Sequence, residues 1–510
     1  MVLARTLSVA LVGVVGHIVE VEADLAQGLP HLVIVGLPDA SLSEARDRVR
    51  AAVVNSGQHW PSRRITVGLS PASLPKRGSG FDLALAAAIL SAAGVAPAAA
   101  LRGLALVGEL GLDGQVRPVR GVLPAALAVA RAGLRGVVVP SANLREAALV
   151  PGLAVYGVSS LSMLLGWMRG ESPADTAPVG EADAAGSGPA LEQPDLADVV
   201  GQDCGREALE VAAAGGHHLF LIGPPGAGKT MLAERLPVLL PPLDLDAALE
   251  VTAVHSVAGI LPAQAPLIRH PPYQAPHHCA SVAALVGGGS GLARPGALSL
   301  AHRGVLFLDE APEFSGGVLD ALRQPVERGE VVIARSGGIT RYPCVVQLVL
   351  AANPCPCSSP LGDQACTCTG QVRRRYLSRL SGPLLDRIDL QVELLPVGRA
   401  ALLGDAGGVE PTSVVRDRVA AARGAAAERL AGTAWRTNAE VPGRVLRTRW
   451  KLTAAIRQAA DAGVERGELS ARGYDRVLRV AWTIADLGGR TVPDAGDVAA
   501  AYFFRTKRAA

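Results

Sequence analysis

The sequence predicts an α/β fold in three parts: an α/β N-terminal domain, a parallel-sheet core and a C-terminal α-helical lid. Three observations lead to this prediction. The chain has 510 residues, more than one hydrophobic core usually organises. Up to about residue 400, short apolar runs typical of buried strands alternate with alanine-rich helical stretches. After that point the pattern is helical only.

The N-terminal part, 1–170, has the pattern of an α/β domain. Two apolar runs predict strands, at 31–36 and 136–140. Two alanine-rich stretches predict helices, at 81–93 and 122–133. The segment 171–190 is small, polar and free of apolar periodicity. We interpret it as an interdomain linker.

The middle part, 191–397, has the pattern of a parallel sheet flanked by helices. Its predicted strands are 219–222, 305–308 and 345–351. The first two are each followed directly by a motif, as expected where parallel strands end at one edge of a sheet. In the C-terminal part, 398–510, glycines and prolines separate three predicted helices of a lid: 414–431, 452–462 and 471–487.

The composition predicts a soluble protein of a reducing compartment. No apolar run reaches the roughly 18 residues of a membrane span. The apolar start, 1–17, carries only Arg5 as charge and lacks a clear cleavage site, so a secretory signal peptide is not expected. Seven cysteines, an odd number, fit free thiols in the cytoplasm better than a disulfide framework. The net charge of +3 is too small to indicate nucleic-acid binding by itself.

A glycine-rich loop between a predicted strand and a helical stretch is the strongest chemical signal. It matches the pattern G-x-x-x-x-G-K-T. In such a loop backbone N–H groups surround phosphate oxygens, the lysine contacts the β- and γ-phosphates and the threonine holds Mg²⁺. A structural glycine-rich turn is the alternative. The predicted ATP-binding residues are Gly223, Pro224, Pro225, Gly226, Ala227, Gly228, Lys229 and Thr230.

Two carboxylates and an amide follow the next predicted strands. Asp309 and Glu310 come directly after 305–308, and Asn353 ends the strand after that. Together with the phosphate loop they predict ATP hydrolysis, with Asp309 holding Mg²⁺ through water and Glu310 activating the attacking water. Asn353 would position that water near the γ-phosphate. For the two acids, a solvated strand end is the alternative.

Four of the seven cysteines form two C-x-C pairs, Cys355 with Cys357 and Cys366 with Cys368. The chain between the pairs is long enough to fold back and bring four thiolates together. Four sulfurs in tetrahedral geometry suit Zn²⁺, although the usual pair spacing is C-x-x-C or longer. Reduced thiols in a tight loop are the alternative.

Further motifs resemble those of one family. The stretch 273–322 contains Tyr-Gln-Ala-Pro-His-His-Cys-Ala-Ser, Gly-Gly-Gly, Arg-Pro-Gly and Ser-Leu-Ala-His-Arg-Gly, and later stretches read Asn-Pro-Cys-Pro-Cys and Ser-Gly-Pro-Leu-Leu-Asp-Arg. Over nearly the whole chain they resemble the ComM/YifB family of magnesium-chelatase-like AAA+ ATPases. The chain departs from that family at Ala297, where a glutamate usually follows Arg-Pro-Gly.

The resemblance implies a more detailed fold and two further catalytic residues. The fold would be a Lon-protease-like domain (ribosomal S5 domain 2-like), a P-loop AAA+ core with chelatase-type insertions and the helical lid. Arg387 would act in trans as an arginine finger on the ATP of the neighbouring subunit, and Arg472, which opens a lid helix, would be the sensor-2 arginine. A surface pair with Asp389 is the alternative for Arg387, and a solvated helix face is the alternative for Arg472.

The resemblance also implies a function: a homo-hexameric motor on branched or single-stranded DNA that promotes branch migration in recombination, as in natural transformation. Recombination proteins would be its partners. A magnesium-chelatase subunit working with a porphyrin-binding protein is one alternative. A peptidase or a regulatory scaffold that uses ATP as a switch is the other.

Three features in the chain bear on these alternatives. His277 and His278 would contact either DNA or the backbone of their own insertion. The basic run 373–379 would contact DNA phosphates, or it would form a helix that faces solvent or a neighbouring subunit. A Lon-type peptidase needs a serine and a lysine base. When the Lon motif is aligned with this chain, those positions fall on Gly80 and Leu123, so peptidase activity is not expected and Ser79 is interpreted as a turn residue.

Overall fold

The computed structural model describes residues 2–36, 40–76, 78–176, 194–262, 266–289, 293–335, 338–357, 366–398 and 409–506. It confirms the predicted α/β class. An eight-stranded mixed sheet lies in the N-terminal part and a five-stranded parallel sheet in the middle. The elements described after residue 409 are helices.

The N-terminal domain is built on a long antiparallel hairpin. Its strands are β1 (Val2–Val12), β2 (Val15–Ala26), β3 (His31–Val35), β4 (Arg64–Ser70), β5 (Leu104–Leu106), β6 (Glu109–Leu110), β7 (Val116–Arg117), β8 (Gly136–Pro140), β9 (Ala154–Val158) and β10 (Asp175–Thr176). The sheet order is β10-β9-β8-β5-β1-β2-β4-β3, and β6 pairs with β7 separately. In β2 every second residue from Val19 to Leu25 is buried, because one face of the sheet packs on the core.

The helices of this domain are α1 (Ala40–Asn55), α2 (Asp82–Ala92), α3 (Val122–Arg131), α4 (Leu144–Ala147) and α5 (Leu161–Arg169). Every residue of α2 is buried. Its one charged residue, Asp82, accepts hydrogen bonds from Arg48 Nε at 2.9 Å and Arg48 Nη2 at 3.1 Å. This pair joins α1 to α2 and compensates a carboxylate that would otherwise be costly to bury.

The first residues of the predicted linker extend the N-terminal sheet. Asp175 lies opposite Gly157 and Thr176 opposite Tyr156, so β10 adds a short antiparallel strand beside β9. The rest of the predicted linker falls within 177–193, outside the described residues.

The middle part combines the parallel sheet with two hairpins. Its strands are β11 (Leu219–Ile222), β12 (Tyr273–Gln274), β13 (Gly287–Gly288), β14 (Arg294–Pro295), β15 (Val305–Leu308), β16 (Glu330–Arg335), β17 (Gly338–Pro343), β18 (Gln347–Ala352) and β19 (Leu390–Glu393). The sheet order is β12-β15-β18-β11-β19 with parallel pairing throughout. β13–β14 and β16–β17 are antiparallel hairpins. Parallel pairing brings the residues after β11, β15 and β18 to one edge.

Helices cover this sheet and form the C-terminal part. Those of the middle part are α6 (Asp203–Gly215), α7 (Lys229–Leu239), α8 (Leu245–Ala258), α9 (Val282–Val286), α10 (Ala297–Leu300), α11 (Gly316–Arg328), α12 (Gly370–Leu377) and α13 (Gly382–Leu385). The C-terminal helices are α14 (Thr412–Leu430), α15 (Gly443–Arg447), α16 (Ala454–Glu465), α17 (Ala471–Leu487) and α18 (Ala495–Thr506). One apolar cluster joins α6, α7, β11, α14 and α17, so the lid packs directly on the helices next to the phosphate loop.

The N-terminal domain packs on the core through α8. Val122 and Leu123 of α3 share an apolar cluster with Ala248 and Leu249 of α8. Glu146 accepts a hydrogen bond from Leu123 N at 2.9 Å, and the Ser256 hydroxyl of α8 donates to the same carboxylate. The two domains therefore meet at a surface with a buried polar centre.

Candidate active site

The glycine-rich loop 223–228 follows β11 and leads directly into α7. Gly226 and Gly228 have φ angles of +78° and +85°, a left-handed conformation that glycine adopts without steric cost. At Gly223 an added Cβ would lie 2.7 Å from the carbonyl oxygen of Leu394. These glycines let the backbone turn tightly ahead of the N-terminus of α7, which is a favourable position for an anion.

Lys229 is buried at the start of α7 and its ammonium group lies inside the loop. Nζ donates hydrogen bonds to Gly223 O at 2.7 Å, Pro224 O at 2.9 Å and Asn353 Oδ1 at 2.9 Å. Burial lowers the pKa of Lys229, and the nearby Asp309 and Glu310 carboxylates oppose that shift. The ammonium is therefore held by neutral acceptors that a phosphate oxygen can replace.

Thr230 and Asp309 bring hard oxygen atoms together from different elements. Thr230 Oγ1 donates to Asp309 Oδ2 at 2.9 Å, although the two residues are 79 positions apart in the sequence. Asp309 follows β15, and its other carboxylate oxygen accepts the backbone N–H of Glu310 at 2.9 Å. A hydroxyl and a carboxylate in this position fit Mg²⁺, which prefers oxygen ligands and retains several waters.

Glu310 lies beside this pair in an unusual backbone conformation. Its φ of +48° is in the left-handed region, which is uncommon for a residue other than glycine. Glu310 Oε2 is 3.4 Å from His278 Nδ1. A cavity of about 300 Å³ opens at this point, and its lining includes Thr230, Tyr273, His277, His278, Asp309 and Glu310.

Arg387 lies in the turn after α13. Its Nη1 donates to Pro383 O at 2.6 Å, and its Nη2 pairs with the Glu327 carboxylate of α11. The alternative surface pair with Asp389 is wrong, because Asp389 is buried and bonds to other groups. It accepts the backbone N–H of His218 at 2.9 Å and pairs with Arg476 of α17.

Arg472 lies exposed in the first turn of α17. The helix begins at the Ser470 cap, whose hydroxyl accepts the Gly473 N–H at 3.1 Å. One turn further on, the partly buried Arg476 pairs with the buried Asp389 and joins the lid to the core. Arg476 was not predicted from the sequence, where the one local signal of a counter-charge was Asp389, directly before the apolar start of β19.

The sulfur atoms of Cys355, Cys357, Cys366 and Cys368 all lie within 4.8 Å of one another. The Sγ atoms of Cys355 and Cys357 are 3.0 Å apart, and those of Cys355 and Cys366 are 3.3 Å apart. Zinc bonds of about 2.3 Å in a tetrahedron would place the sulfurs about 3.8 Å apart. The four thiols therefore need only small movements to surround one ion.

The basic run 373–379 lies in the second half of α12 and in the turn that follows it. Arg374, Arg375 and Arg379 are exposed. Arg379 Nη1 pairs with Glu313 Oε2 at 2.9 Å, so this helix lies close to the residues that follow Glu310.

The two positions that align with the Lon serine and lysine, Gly80 and Leu123, lie within the described residues and carry neither side chain. The Ser79 hydroxyl contacts the Glu109 carboxylate. Leu123 is buried where α3 packs against α8. The Lys76 ammonium donates to the backbone carbonyls of Gly36 and Pro71. Ser79 begins a single 3₁₀ turn, as its interpretation as a turn residue requires.

Among the described residues no helix combines the length and the apolar character needed to cross a bilayer.

Three family models match consecutive parts of the chain. "Magnesium chelatase, subunit ChlI" matches residues 195–402, "Subunit ChlI of Mg-chelatase" matches 21–143, and "Magnesium chelatase, subunit ChlI C-terminal" matches 409–505. These matches include the phosphate loop, the acids after β15 and the lid helices.

Curated relatives match along the full length. An uncharacterized protein of Mycobacterium tuberculosis is 57% identical over 99% of both chains. The competence protein ComM of Haemophilus influenzae is 42% identical over 96% of this chain and 94% of its own, and the uncharacterized protein YifB of Escherichia coli is 40% identical over 94% and 92%.

A partial similarity connects the N-terminal domain to proteases. Lon protease of Chloroflexus aurantiacus is 30% identical over 137 residues, which is 25% of this chain and 16% of that protease. With the fold and the full-length matches, these findings show that the chain belongs to the ComM/YifB family of magnesium-chelatase-like AAA+ ATPases, with a Lon-like N-terminal domain.

Proposed function

We propose that this protein is an ATP-hydrolysing ring motor that acts on DNA and drives branch migration in recombination, including natural transformation. One observation carries the proposal: Lys229, Asp309 and Glu310 lie together at the carboxyl edge of the parallel sheet. Asn353 is hydrogen-bonded to Lys229, and Thr230 is hydrogen-bonded to Asp309. This is the set of groups that phosphoryl transfer requires: a cation for the phosphates, oxygen ligands for a metal, and a base for water.

Hydrolysis would use each group in a separate role. The phosphates would bind at the N-terminus of α7, where Lys229 would exchange its carbonyl acceptors for phosphate oxygens. When bound between Thr230 and Asp309, Mg²⁺ would offset phosphate charge. The Glu310 carboxylate would accept the proton of the attacking water, and the Asn353 amide would orient that water.

The ring is proposed because Arg387 is interpreted as a residue that acts on the ATP of a neighbouring subunit. A guanidinium neutralises charge on the transferred phosphoryl group when it reaches the reacting atoms from a neighbouring subunit. Within one chain Arg387 is paired with Glu327, a partly exposed carboxylate that a neighbouring subunit's phosphate could replace. We propose a homo-hexamer in which Arg387 acts in trans and Arg472 senses nucleotide within its own chain.

DNA is proposed as the track because of exposed arginines and the nature of a relative. Arg374, Arg375 and Arg379 expose guanidinium groups beside the ATP site, and arginine binds phosphates without regard to sequence. His277, in the insertion next to this site, is a second candidate contact. ComM of Haemophilus influenzae is a competence protein, which favours recombination as the process and recombination proteins as partners.

The four clustered cysteines are proposed to bind Zn²⁺. Zinc is held by thiolate sulfur in closed tetrahedral sites, and the four thiols here are already close together. The cluster lies between Asn353 and α12. A bound ion would therefore fix the chain that connects the catalytic edge of the sheet to the exposed arginines.

The alternatives have less support. A magnesium-chelatase subunit would have the same core, but among the full-length relatives described above the one named for a process is a competence protein. A peptidase would need the serine and lysine that Gly80 and Leu123 replace. The seven cysteines, all within the described residues, form no disulfide, which fits the cytoplasm that we propose as the compartment. A scaffold that uses ATP only as a switch would bind ATP without doing work on DNA.

The proposal is tested with purified protein, Mg-ATP and labelled three- and four-stranded DNA junctions. We expect ATP-dependent migration of the junction, weaker at raised salt because phosphate contacts release counterions. Glu310→Gln is the matched negative control. Rings that hydrolyse ATP but neither bind branched DNA at low salt nor move a junction would refute the DNA function. Metal insertion into a porphyrin with a partner, and ATP-dependent cleavage of casein, are the assays for the alternatives.

A further inference from the structure

Two histidines and a cysteine lie next to one another beside the ATP cavity. His277, His278 and Cys279 each offer one ligand atom for a metal, and these three atoms lie within 4.8 Å of one another. His277 and Cys279 are exposed, and His278 is partly buried. The group is separate from the four clustered cysteines, and the hydrolysis mechanism described above gives Cys279 no role.

A tight turn brings the three side chains together. Ala280 N donates a hydrogen bond to His277 O at 2.8 Å, which closes the turn 277–280. The ring centroids of His277 and His278 are 4.1 Å apart. The Cys279 backbone N–H donates to His277 Nδ1 at 3.3 Å, a long hydrogen bond that a metal ion can replace.

The spacing suits one metal ion after small side-chain movements. Zinc bonds of about 2.0–2.1 Å to nitrogen and about 2.3 Å to sulfur, in a tetrahedron, place the ligand atoms about 3.4–3.6 Å apart. The three ligand atoms therefore need to approach one another by at most about 1.4 Å. Because His277 and Cys279 are exposed, they can rotate without disturbing the core. Three protein ligands leave the fourth position of the tetrahedron to water.

The donor atoms distinguish this group from the proposed Mg²⁺ site. Thr230 and Asp309 offer oxygen atoms, which Mg²⁺ prefers. Imidazole nitrogen and thiolate sulfur instead favour Zn²⁺ and similar borderline divalent ions. The Glu310 carboxylate, with Oε2 3.4 Å from His278 Nδ1, adds negative charge that favours a cation nearby.

We propose that His277, His278 and Cys279 bind Zn²⁺ and that the bound ion slows ATP hydrolysis. His277 and His278 line the same cavity as Thr230 and Asp309. An ion held there with its water ligand would occupy space beside the reacting phosphate. The binding of the ion is independent of the proposed function, whereas its effect on hydrolysis rests on that function.

Equilibrium dialysis of the reduced full-length protein against buffered free Zn²⁺, with Mg²⁺ present, tests the binding, and elemental analysis measures the metal. We expect the double variant His277→Ala, Cys279→Ser to bind one zinc ion fewer than the wild type. Cys279→Ser alone should lower the affinity at least about tenfold, since a direct ligand is lost. His270→Ala and Cys204→Ala change residues outside the group and are the matched controls that should bind zinc as the wild type does.

The result is a difference between variants, so zinc held by the four clustered cysteines, which all these proteins retain, cancels. Equal zinc content of the wild type and the double variant across the dialysis series would refute the site. So would an equal loss of zinc in either control.

A second measurement follows ATP hydrolysis at saturating Mg-ATP while buffered free Zn²⁺ is raised. Wild-type kcat should fall with a midpoint at the zinc affinity found by dialysis. In Cys279→Ser that midpoint should shift at least about tenfold to higher zinc. Zinc binding without loss of kcat, or the same midpoint in both proteins, would overturn the effect on hydrolysis. Wild-type protein that hydrolyses no ATP even without zinc would refute the proposed catalytic function instead, and dialysis would still decide the site.

Discussion

The Lys229 ammonium donates a 2.9 Å hydrogen bond to the side-chain oxygen of Asn353, which joins the phosphate loop to the end of the adjacent strand β18. The two residues are 124 positions apart in the sequence. Because Lys229 must turn to phosphate oxygens when ATP binds, the same event would release the Asn353 amide to contact the attacking water. With the roles proposed for Lys229 and Asn353, this one bond would connect nucleotide binding with the positioning of water.

Lys229→Ala and Glu310→Gln should separate binding from hydrolysis. The first removes the cation that faces the phosphates, so we expect ATP affinity to fall at least about tenfold. The second keeps the phosphate contacts but removes the base, so binding should persist while kcat falls about a hundredfold or more. A fluorescent ATP analogue measures the affinity, and phosphate release measures kcat. Lys451→Ala, at an exposed lid lysine, is the control that should change neither value. Near-normal turnover by Glu310→Gln would contradict the catalytic role assigned to the acids that follow β15.

Arg387→Ala should bind ATP normally but hydrolyse it slowly, with kcat reduced on the order of a thousandfold if Arg387 is an arginine finger. Mixing this variant with Lys229→Ala should restore part of the turnover, since some interfaces then combine an intact loop with an intact Arg387. Arg466→Ala, which alters an exposed pair in the lid, should show no such loss. Absence of rescue in mixed rings that demonstrably exchange subunits would argue against action in trans.

The cysteine cluster should hold about one zinc ion per chain in protein purified without chelator. Replacing Cys355 and Cys368 together with serine should remove the metal, because two thiolate ligands are lost. The same measurement on Cys204→Ala, a cysteine outside the cluster, should give wild-type zinc content. Elemental analysis by mass spectrometry measures the metal directly. Zinc-free wild-type protein would rule the site out.

Asp389→Asn should destabilise the junction between the core and the lid by about 1–3 kcal/mol, since the partly buried Arg476 loses its counter-charge. Asp386→Asn, at a partly exposed acid three residues earlier, is the control with little effect. Burial opposes ionisation of Asp389, but the Arg476 guanidinium, the neighbouring His217 and His218 and the His218 backbone N–H together outweigh it and hold the pKa of that carboxyl below its usual range. This stabilisation is therefore fully present above about pH 4, the ordinary value for aspartate, and declines as the pH falls below it. Chemical unfolding of both variants at pH 7 measures the difference, and equal stability of the two would contradict the prediction.

Much of the fold follows from local patterns. The predicted strands 136–140, 219–222 and 305–308 and the predicted helix 471–487 have the observed bounds, and the other predicted elements differ by one to three residues at their ends. The three strands are continuous apolar runs that are almost entirely buried, and the helix has one apolar face, so the local apolar pattern determines them. The short pairing of β10 with β9 was not predicted, because two exposed residues, Asp175 and Thr176, carry no apolar signal.

The phosphate loop, the acids after β15 and the cysteine pairs could be identified from the sequence, because each is a set of neighbouring residues whose spacing is its signal. Which groups of the chain meet depends on the tertiary fold. Asn353 meets Lys229, His278 meets Glu310, and Asp389 meets Arg476 rather than the nearby Arg387. The physical reason is that such contacts depend on strand order and on helix packing. These bring together residues that are remote in the sequence, and local spacing contains no information about them.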